Sequence, residues 1–311
     1  MRTVCVTGGC GFIGSHLVEA LVEKGCTVKV LDNLSTGRKE NIAHLDVELY
    51  EGDIRDPDEV VRALHGVDTI FHLAAQISVP ASIEDPLTTE EINVRGTLNV
   101  LEAAKLHNVS TVVFASSAAV YGDSPECPKR LDMIPQPVSP YAITKLAGEY
   151  YVAMYQRLCG IRGVSARFFN VFGERQDPSS GYAAAVPAFI SRALKGDPLT
   201  IFGDGEQTRD FIYVKDLVAY LIALAEEGEG LYNIGYGTYI TINQLARTII
   251  SLCGTEASIV YTNPRPGDVR YSYADVDRIT SLSVPLIGFE EGLQRTIEWF
   301  STQEDPLHPR G

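Results

Sequence analysis

Short runs of β-branched and apolar residues alternate with longer amphipathic stretches through the first two-thirds of the chain. The segments RTVCVTG (2–8), TVKVLDN (27–33), DTIFHLAA (68–75), STVVFASS (110–117) and RGVSARFFN (162–170) read as strands. Between the first two, GSHLVEALVEKG (14–25) spaces its apolar residues three and four apart, as on one face of a helix. Helical patterns also cover roughly 90–107 and 140–158. This alternation predicts an α/β fold, a doubly wound parallel sheet with crossover helices on both faces.

The rhythm changes after residue 170. Gly and Pro become frequent and aromatic residues are interspersed, as in QDPSSGYAAAVP (176–187) and YTNPRPGDVRYSY (261–273), which reads as a smaller, more irregular part. RDFIYVKDLVAYLIALAEE (209–227) looks like strand and helix returning to the first part. The predicted division is therefore residues 1–170 for a first domain, with a returning segment near 209–235, and 171–311 for a second, smaller α/β domain.

Composition narrows the partners. A chain of 311 residues can bury a substantial core. No apolar run is long enough to span a bilayer and no leader pattern is visible, so a cytoplasmic protein off the membrane is expected. The formal charge of −14 argues against nucleic acid, whose binding relies on clustered Lys and Arg. Cys5, Cys10, Cys26, Cys127, Cys159 and Cys253 are scattered, without zinc-site spacing or disulfide density, and no metal is predicted.

Gly8, Gly11 and Gly14 lie in VTGGCGFIGSH, after an apolar strand and at the start of an amphipathic helix. Missing side chains there let the backbone turn tightly and approach a pyrophosphate at the helix N-terminus. A plain strand-to-helix turn is the alternative. Asp32, at the end of the next strand, is placed to bond a ribose hydroxyl and completes the Rossmann-type pattern. Its carboxylate would repel a 2′-phosphate, which favours NAD over NADP, although Arg38 and Lys39 stand close by.

In SPYAITKLAGEYY, Tyr141 and Lys145 are four residues apart in a helical pattern that starts at Pro140. Taken alone, such a pair is more often a half-buried Tyr beside a surface Lys. After a dinucleotide loop, the reading shifts to a base. Bringing a phenol from about 10 towards neutrality takes about three pKa units, ~4 kcal/mol. A lysine charge ~4 Å away, at an effective dielectric of about 20, supplies about that much. His16, His44, His65, His72 and His107 sit in no motif with a nucleophile, and His72 at a strand end reads as structural. GxSxG is absent around Ser116 and Ser117, which argues against a serine hydrolase.

TGGCGFIG, DNLSTG, GDIRD, FHLAAQ, NVRGT, SSAAVYGD, YAITK, RFFNVFG, GDGEQTRDFIYV and RPGD run in one order along nearly the whole chain. In these motifs it resembles the extended short-chain dehydrogenase/reductases, and within them the UDP-glucose 4-epimerases and related nucleotide-sugar epimerases. The resemblance implies NAD contacts from Phe12, Ile13, Asp32, Asn33, Leu34, Ser35, Thr36, Gly37, Asp53, Ile54, Leu73, Ala74, Ala75, Gln76, Ile77, Asn93 and Phe169, beside the glycines. It implies a catalytic trio of Tyr141, Lys145 and Ser117. It also implies that Asn170, Thr200, Phe202, Arg209, Arg265 and Asp268 hold a uridine diphosphate, and guanidinium forks suit a diphosphate.

Relatives that eliminate water between C5 and C6 carry an acid–base pair just after the active-site hydroxyl, and relatives that decarboxylate UDP-glucuronate place a Glu there. This chain has Ala118 and Ala119. Epimerisation at C4 needs one proton acceptor and a returning hydride, so the resemblance implies a UDP-hexose 4-epimerase. A UDP-glucuronate epimerase, another nucleotide-sugar enzyme of this scaffold, or a non-catalytic NAD-binding module are the alternatives. Ser272 stands where relatives confined to glucose and galactose carry a bulky Tyr, which implies room for an N-acetyl group. If the segment is extended, 271 and 273 point one way and 272 the other, so the assignment depends on register. The family likeness and the two long helical patterns together predict a homodimer.

Overall fold

The computed structural model describes residues 2–178, 184–264 and 269–303. The strands of the first part are β1 (Thr3–Thr7), β2 (Thr27–Asp32), β3 (Glu48–Glu51), β4 (Thr69–His72), β5 (Thr111–Ser117) and β6 (Arg162–Phe168). Further on come β7 (Asn170–Phe172), β8 (Leu199–Phe202), β9 (Thr208–Arg209), β10 (Phe211–Tyr213), β11 (Gly230–Ile234), β12 (Ile240–Thr241), β13 (Ile259–Thr262) and β14 (Tyr271–Ser272). The helices are α1 (Phe12–Glu23), α2 (Pro57–Ala63), α3 (Val79–Glu84), α4 (Pro86–Glu90), α5 (Gly96–Leu106), α6 (Pro140–Cys159), α7 (Ala185–Lys195), α8 (Val214–Glu227), α9 (Ile242–Cys253), α10 (Asp277–Thr280) and α11 (Phe289–Thr302).

Among the described residues the main sheet has seven strands in the order β11-β6-β5-β4-β1-β2-β3. Every ladder in it is parallel, as the alternation of strand and helix predicts. From β1 the chain runs outward through β2 and β3, then returns to lay β4 on the other side of β1. That reversal opens a crevice at the carboxyl ends of β1 and β4, where a ligand can lie against backbone.

Successive side chains of β1 feed opposite cores. Val4 and Val6 join Leu17, Leu21, Leu217 and Leu221 of α1 and α8 on one face. Cys5 joins Leu101, Phe114 and Val152, among residues of α5, β5 and α6, on the other. Both layers are fully covered, which is why the strands read as apolar runs and do not alternate with polar residues. A separate core gathers Ile190, Leu199, Ile201, Leu245, Ile249 and Leu293 from α7, β8, α9 and α11.

Three small sheets accompany that core: β7 with β10, β8 with β13, and β9 between β12 and β14. β11 leaves them and pairs with β6, as the edge strand of the main sheet. α8 runs between β10 and β11 and packs on the α1 face. Chain beyond residue 170 thus contributes both to the main sheet and to the separate core.

Candidate active site

Six strands of the main sheet end next to a segment singled out from the sequence. β1 delivers Gly8, β2 ends on Asp32, β3 leads to Asp53 and Ile54, β4 to Leu73–Gln76, β5 ends on Ser117, and β6 leads to Phe169 and Asn170. All of them lie along one carboxyl edge, which the parallel topology alone guarantees.

Gly8 has φ +74, and a Cβ there would lie 2.9 Å from the backbone nitrogen of Ala74. A Cβ on Gly14 would lie 2.0 Å from the Gly8 carbonyl oxygen, so no side chain fits where α1 meets the loop. α1 begins on Gly11 with no side-chain cap and no acid in its first turn. Its leading N–H groups therefore face the crevice with a partial positive charge and no competing anion. Such a helix start is suited to a pyrophosphate.

Asp32 is buried, and its carboxylate accepts from the Cys10 N–H (2.9 Å) and the Leu34 N–H (2.8 Å). Each oxygen keeps a lone pair, so the group can brace the two loops and still accept from a ribose hydroxyl. Gly37 packs against Cys10, where a Cβ would come within 2.8 Å of the Cys10 Cβ. Asn33 donates to Asp53, whose pKa the Arg55 hydrogen bonds and charge hold down at about 2. Lys39 pairs with Glu51, so that cation already has an anion. Ile54 is buried.

Leu73 and Ala74 donate their N–H groups to Thr7, while the Gln76 N–H goes to Asn93 Oδ1 (2.8 Å). Asn93 is itself buried and donates to the Gln76 carbonyl and to Thr144 Oγ1. Its side-chain amide is thus committed to shaping the 76 loop against α6, in a turn where Glu91–Arg95 widen into π-helix. His72 uses one ring nitrogen on Thr7 and the other on Thr97. Burial, with Lys145 second, pushes its pKa down to about 3.

Ser139 caps α6 by accepting the Ala142 N–H, with Pro140 as the first helical residue. Gly148 brings the helix onto β5, since a Cβ there would lie 2.3 Å from the Phe114 ring. Tyr141 and Lys145 share the inner face of α6. Ser117 neighbours the Tyr141 phenol, and Ser117 Oγ accepts the Ala119 N–H. Lys145 Nζ donates to the Ala115 carbonyl (2.8 Å) and lies 5.9 Å from the Tyr141 ring centroid.

Burial works against the pair. It raises the Tyr141 pKa, with the Ser117 hydrogen bond opposing, and it lowers Lys145 to about 7. A cationic ring bound at the site would make up the difference by favouring the phenolate.

The remaining predicted residues are spread over the smaller ladders. Phe169 is buried, and exposed Asn170 on β7 donates its N–H to the Asp210 carbonyl. Thr200 and Phe202 share the outward side of β8, opposite the buried Leu199 and Ile201. Arg209 on β9 donates to the Thr208 carbonyl, and Ser272 of β14 is its direct cross-strand partner. Side chains in register lie on one face, so Ser272 shares the Arg209 side, while Tyr271, opposite Thr208, lies on the other. Arg265 and Asp268 lie outside the described residues. Among the described residues no cluster of metal-ligating side chains forms, and no helix is long and apolar enough to cross a membrane.

Sequence reasoning passed over Glu149 and Arg167. Glu149 follows Lys145 by four residues, so the spacing that pairs Tyr141 with Lys145 puts it on the same face. It is buried and held by the Arg167 fork at 2.8 and 2.7 Å.

The pattern of the NAD dependent epimerase/dehydratase family matches residues 4–235. A putative UDP-glucose 4-epimerase of Methanocaldococcus jannaschii is 42% identical over 301 residues, covering 95% of this chain and 97% of that protein. The structure of a UDP-N-acetylglucosamine 4-epimerase from Methanobrevibacter ruminantium, in complex with UDP-N-acetylmuramic acid, superposes with TM-score 0.93 at 40% identity, covering 97% and 98% of the two chains. A Thermotoga maritima UDP-glucose 4-epimerase with UDP-glucose gives TM-score 0.92 at 39% identity, covering 96% and 99%. The chain belongs to the NAD dependent epimerase/dehydratase family, within the extended short-chain dehydrogenase/reductases. NAD is its cofactor, and the uncapped, acid-free start of α1 with Asp32 beside it fits that molecule.

Proposed function

We propose that the chain is a UDP-hexose 4-epimerase that interconverts UDP-glucose and UDP-galactose through a 4-keto sugar. The observation that carries this reading is the neighbouring pair Ser117 and Tyr141, with methyl groups at the two positions directly after Ser117. Ala118–Tyr121 form a short 3-10 helix capped by Ser117, and its first two side chains are methyl groups. Elimination at C5–C6 would require an acid and a base there. In this reading residues 1–170 carry the cofactor and 171–311 the nucleotide sugar, apart from the chain that returns to the main sheet.

Bound NAD supplies a reversible hydride acceptor at sugar C4. Tyr141 takes the proton from the 4-hydroxyl and returns it, and Ser117 holds the 4-oxygen in line. Lys145 contributes positive charge beneath the phenol. Asn170, Thr200, Phe202 and Arg209, with Arg265 and Asp268, bind the uridine diphosphate. The test is incubation with a panel of UDP-sugars without added NAD, products being identified by NMR. Interconversion of UDP-glucose and UDP-galactose is expected. Activity confined to UDP-glucuronate, or a dehydrated product, would replace this reading.

The placement of Ser272 beside Arg209 supports a wider substrate range, as does the likeness to a UDP-N-acetylglucosamine 4-epimerase. UDP-N-acetylglucosamine should be accepted, because a hydroxymethyl side chain leaves space at the C2 substituent. Ser272→Tyr should lower kcat/KM for the acetylated sugar by at least about 100-fold, since one clash of methylene size costs ~1–3 kcal/mol and a phenol is larger. Equal slowing of both substrates would show that residue 272 does not face C2.

A homodimer belongs to the same proposal. Ile143, Tyr150, Met154 and Leu158 form an exposed stripe along α6, and Ile83, Leu87 and Leu106 stand exposed on α3, α4 and α5, all between 40% and 77% accessible. So much apolar surface on neighbouring helices is what a two-fold helical interface would bury. Light scattering at micromolar concentration should give twice the chain mass of 34.0 kDa. A monomer only would refute it.

A further inference from the structure

The last three residues of β5 each engage one residue of α6. The Ala115 carbonyl accepts from Lys145, the Ser116 hydroxyl donates to Glu149 Oε1, and Ser117 neighbours Tyr141. Tyr141, Lys145 and Glu149 recur every four residues, so they form one ladder down the inner face of the helix. From the far side Glu149 is fixed by the two-bond fork of Arg167 on β6. Arg167 lies 4.6 Å from the Tyr121 ring centroid, and the Tyr121 hydroxyl donates to Asn233 on β11. Ser116, Glu149 and Arg167 are all buried.

A buried ion pair brings little net stability, because desolvating both charges offsets most of their attraction. Its forked, directional bonds are better suited to fixing position. We propose that Ser116, Glu149 and Arg167 are positioning residues, which set the height of α6 along β5 and so hold Tyr141 against Ser117. The two adjacent serines then divide the work: Ser117 meets the phenol and Ser116 anchors the helix that carries it. A slip of one helical residue is ~1.5 Å, enough to part the two hydroxyls. Misplacement on the order of 1 Å can cost about 100-fold in rate.

Ser116→Ala removes one anchor and leaves the Glu149–Arg167 pair intact. The kinetic part of the test rests on the proposed epimerase reading, and a second readout does not: ultraviolet difference titration of the NAD-bound protein, taken against Tyr141→Phe, follows the Tyr141 phenol alone. The variant should lose about tenfold in kcat for UDP-glucose with KM unchanged, and the phenol should titrate at higher pH because the Ser117 bond that favours its ionised form is loosened. Ser116→Thr, which keeps the hydroxyl, should restore both. A lower melting temperature with kcat and titration unmoved would overturn the proposal and leave the network a structural one. If the wild type turns over no UDP-sugar, the epimerase reading fails and the titration still decides this one.

Discussion

Tyr141→Phe will cut turnover of UDP-glucose by about a thousandfold while NAD stays bound. The phenol stands beside Ser117, and the substitution deletes the proposed proton acceptor while keeping the aromatic ring. Loss of a positioned acid–base group costs about 100- to 10,000-fold. The Gly8–Gly14 loop and Asp32, the proposed dinucleotide cradle, are untouched by the change. Turnover and cofactor content measured on the same preparation check both parts. Near-normal turnover would remove Tyr141 from the mechanism.

Lys145→Met should have an effect of similar size on turnover and an opposite signature in stability. The ammonium is buried, and burial lowers its pKa from 10.5 to about 7. The unfolded chain therefore binds more protons than the folded one between about pH 7 and pH 10.5, and stability contributed by this group rises with pH across that window. Below pH 7 the folded protein carries the full cost of a desolvated charge; above 10.5 it carries none. Methionine fills similar volume and never ionises, so the variant should gain stability relative to wild type most at low pH, and the difference should shrink as pH rises towards 10.5. Denaturant titrations across that range measure it. A pH-independent difference would show that Lys145 is not the buried cation described. Its turnover should fall because Ser117 alone then opposes the burial that raises the Tyr141 pKa.

How much of this was legible in the sequence depends on distance along the chain. Strands such as TVCVT and TVVFASS, buried on both faces, announce themselves as apolar runs, and parallel pairing then puts every strand end on one edge. Tyr141 and Lys145 were legible because helical spacing fixes the face they share. Spacing does not fix partners. It could not say that Lys145 spends a hydrogen bond on the Ala115 carbonyl, that Asn93 is occupied by Gln76 and Thr144, or which of two adjacent serines meets the phenol. Nor do two-residue strands such as β9 and β14 carry enough pattern to set a register, and the Arg209–Ser272 pairing needs the fold around it. The Glu149–Arg167 pair joins residues 18 apart through a buried fork, which only the packing of α6 on β6 creates.

The central claim is that a hydride leaves C4 of a UDP-sugar and returns to the same carbon from the other side. UDP-glucose deuterated at C4, incubated with the enzyme in ordinary water without added NAD, tests it directly. The account predicts UDP-galactose with the deuterium still at C4, seen by NMR. Deuterium lost to solvent, deuterium moved to C6, or a product lacking the C6 hydroxyl would contradict it.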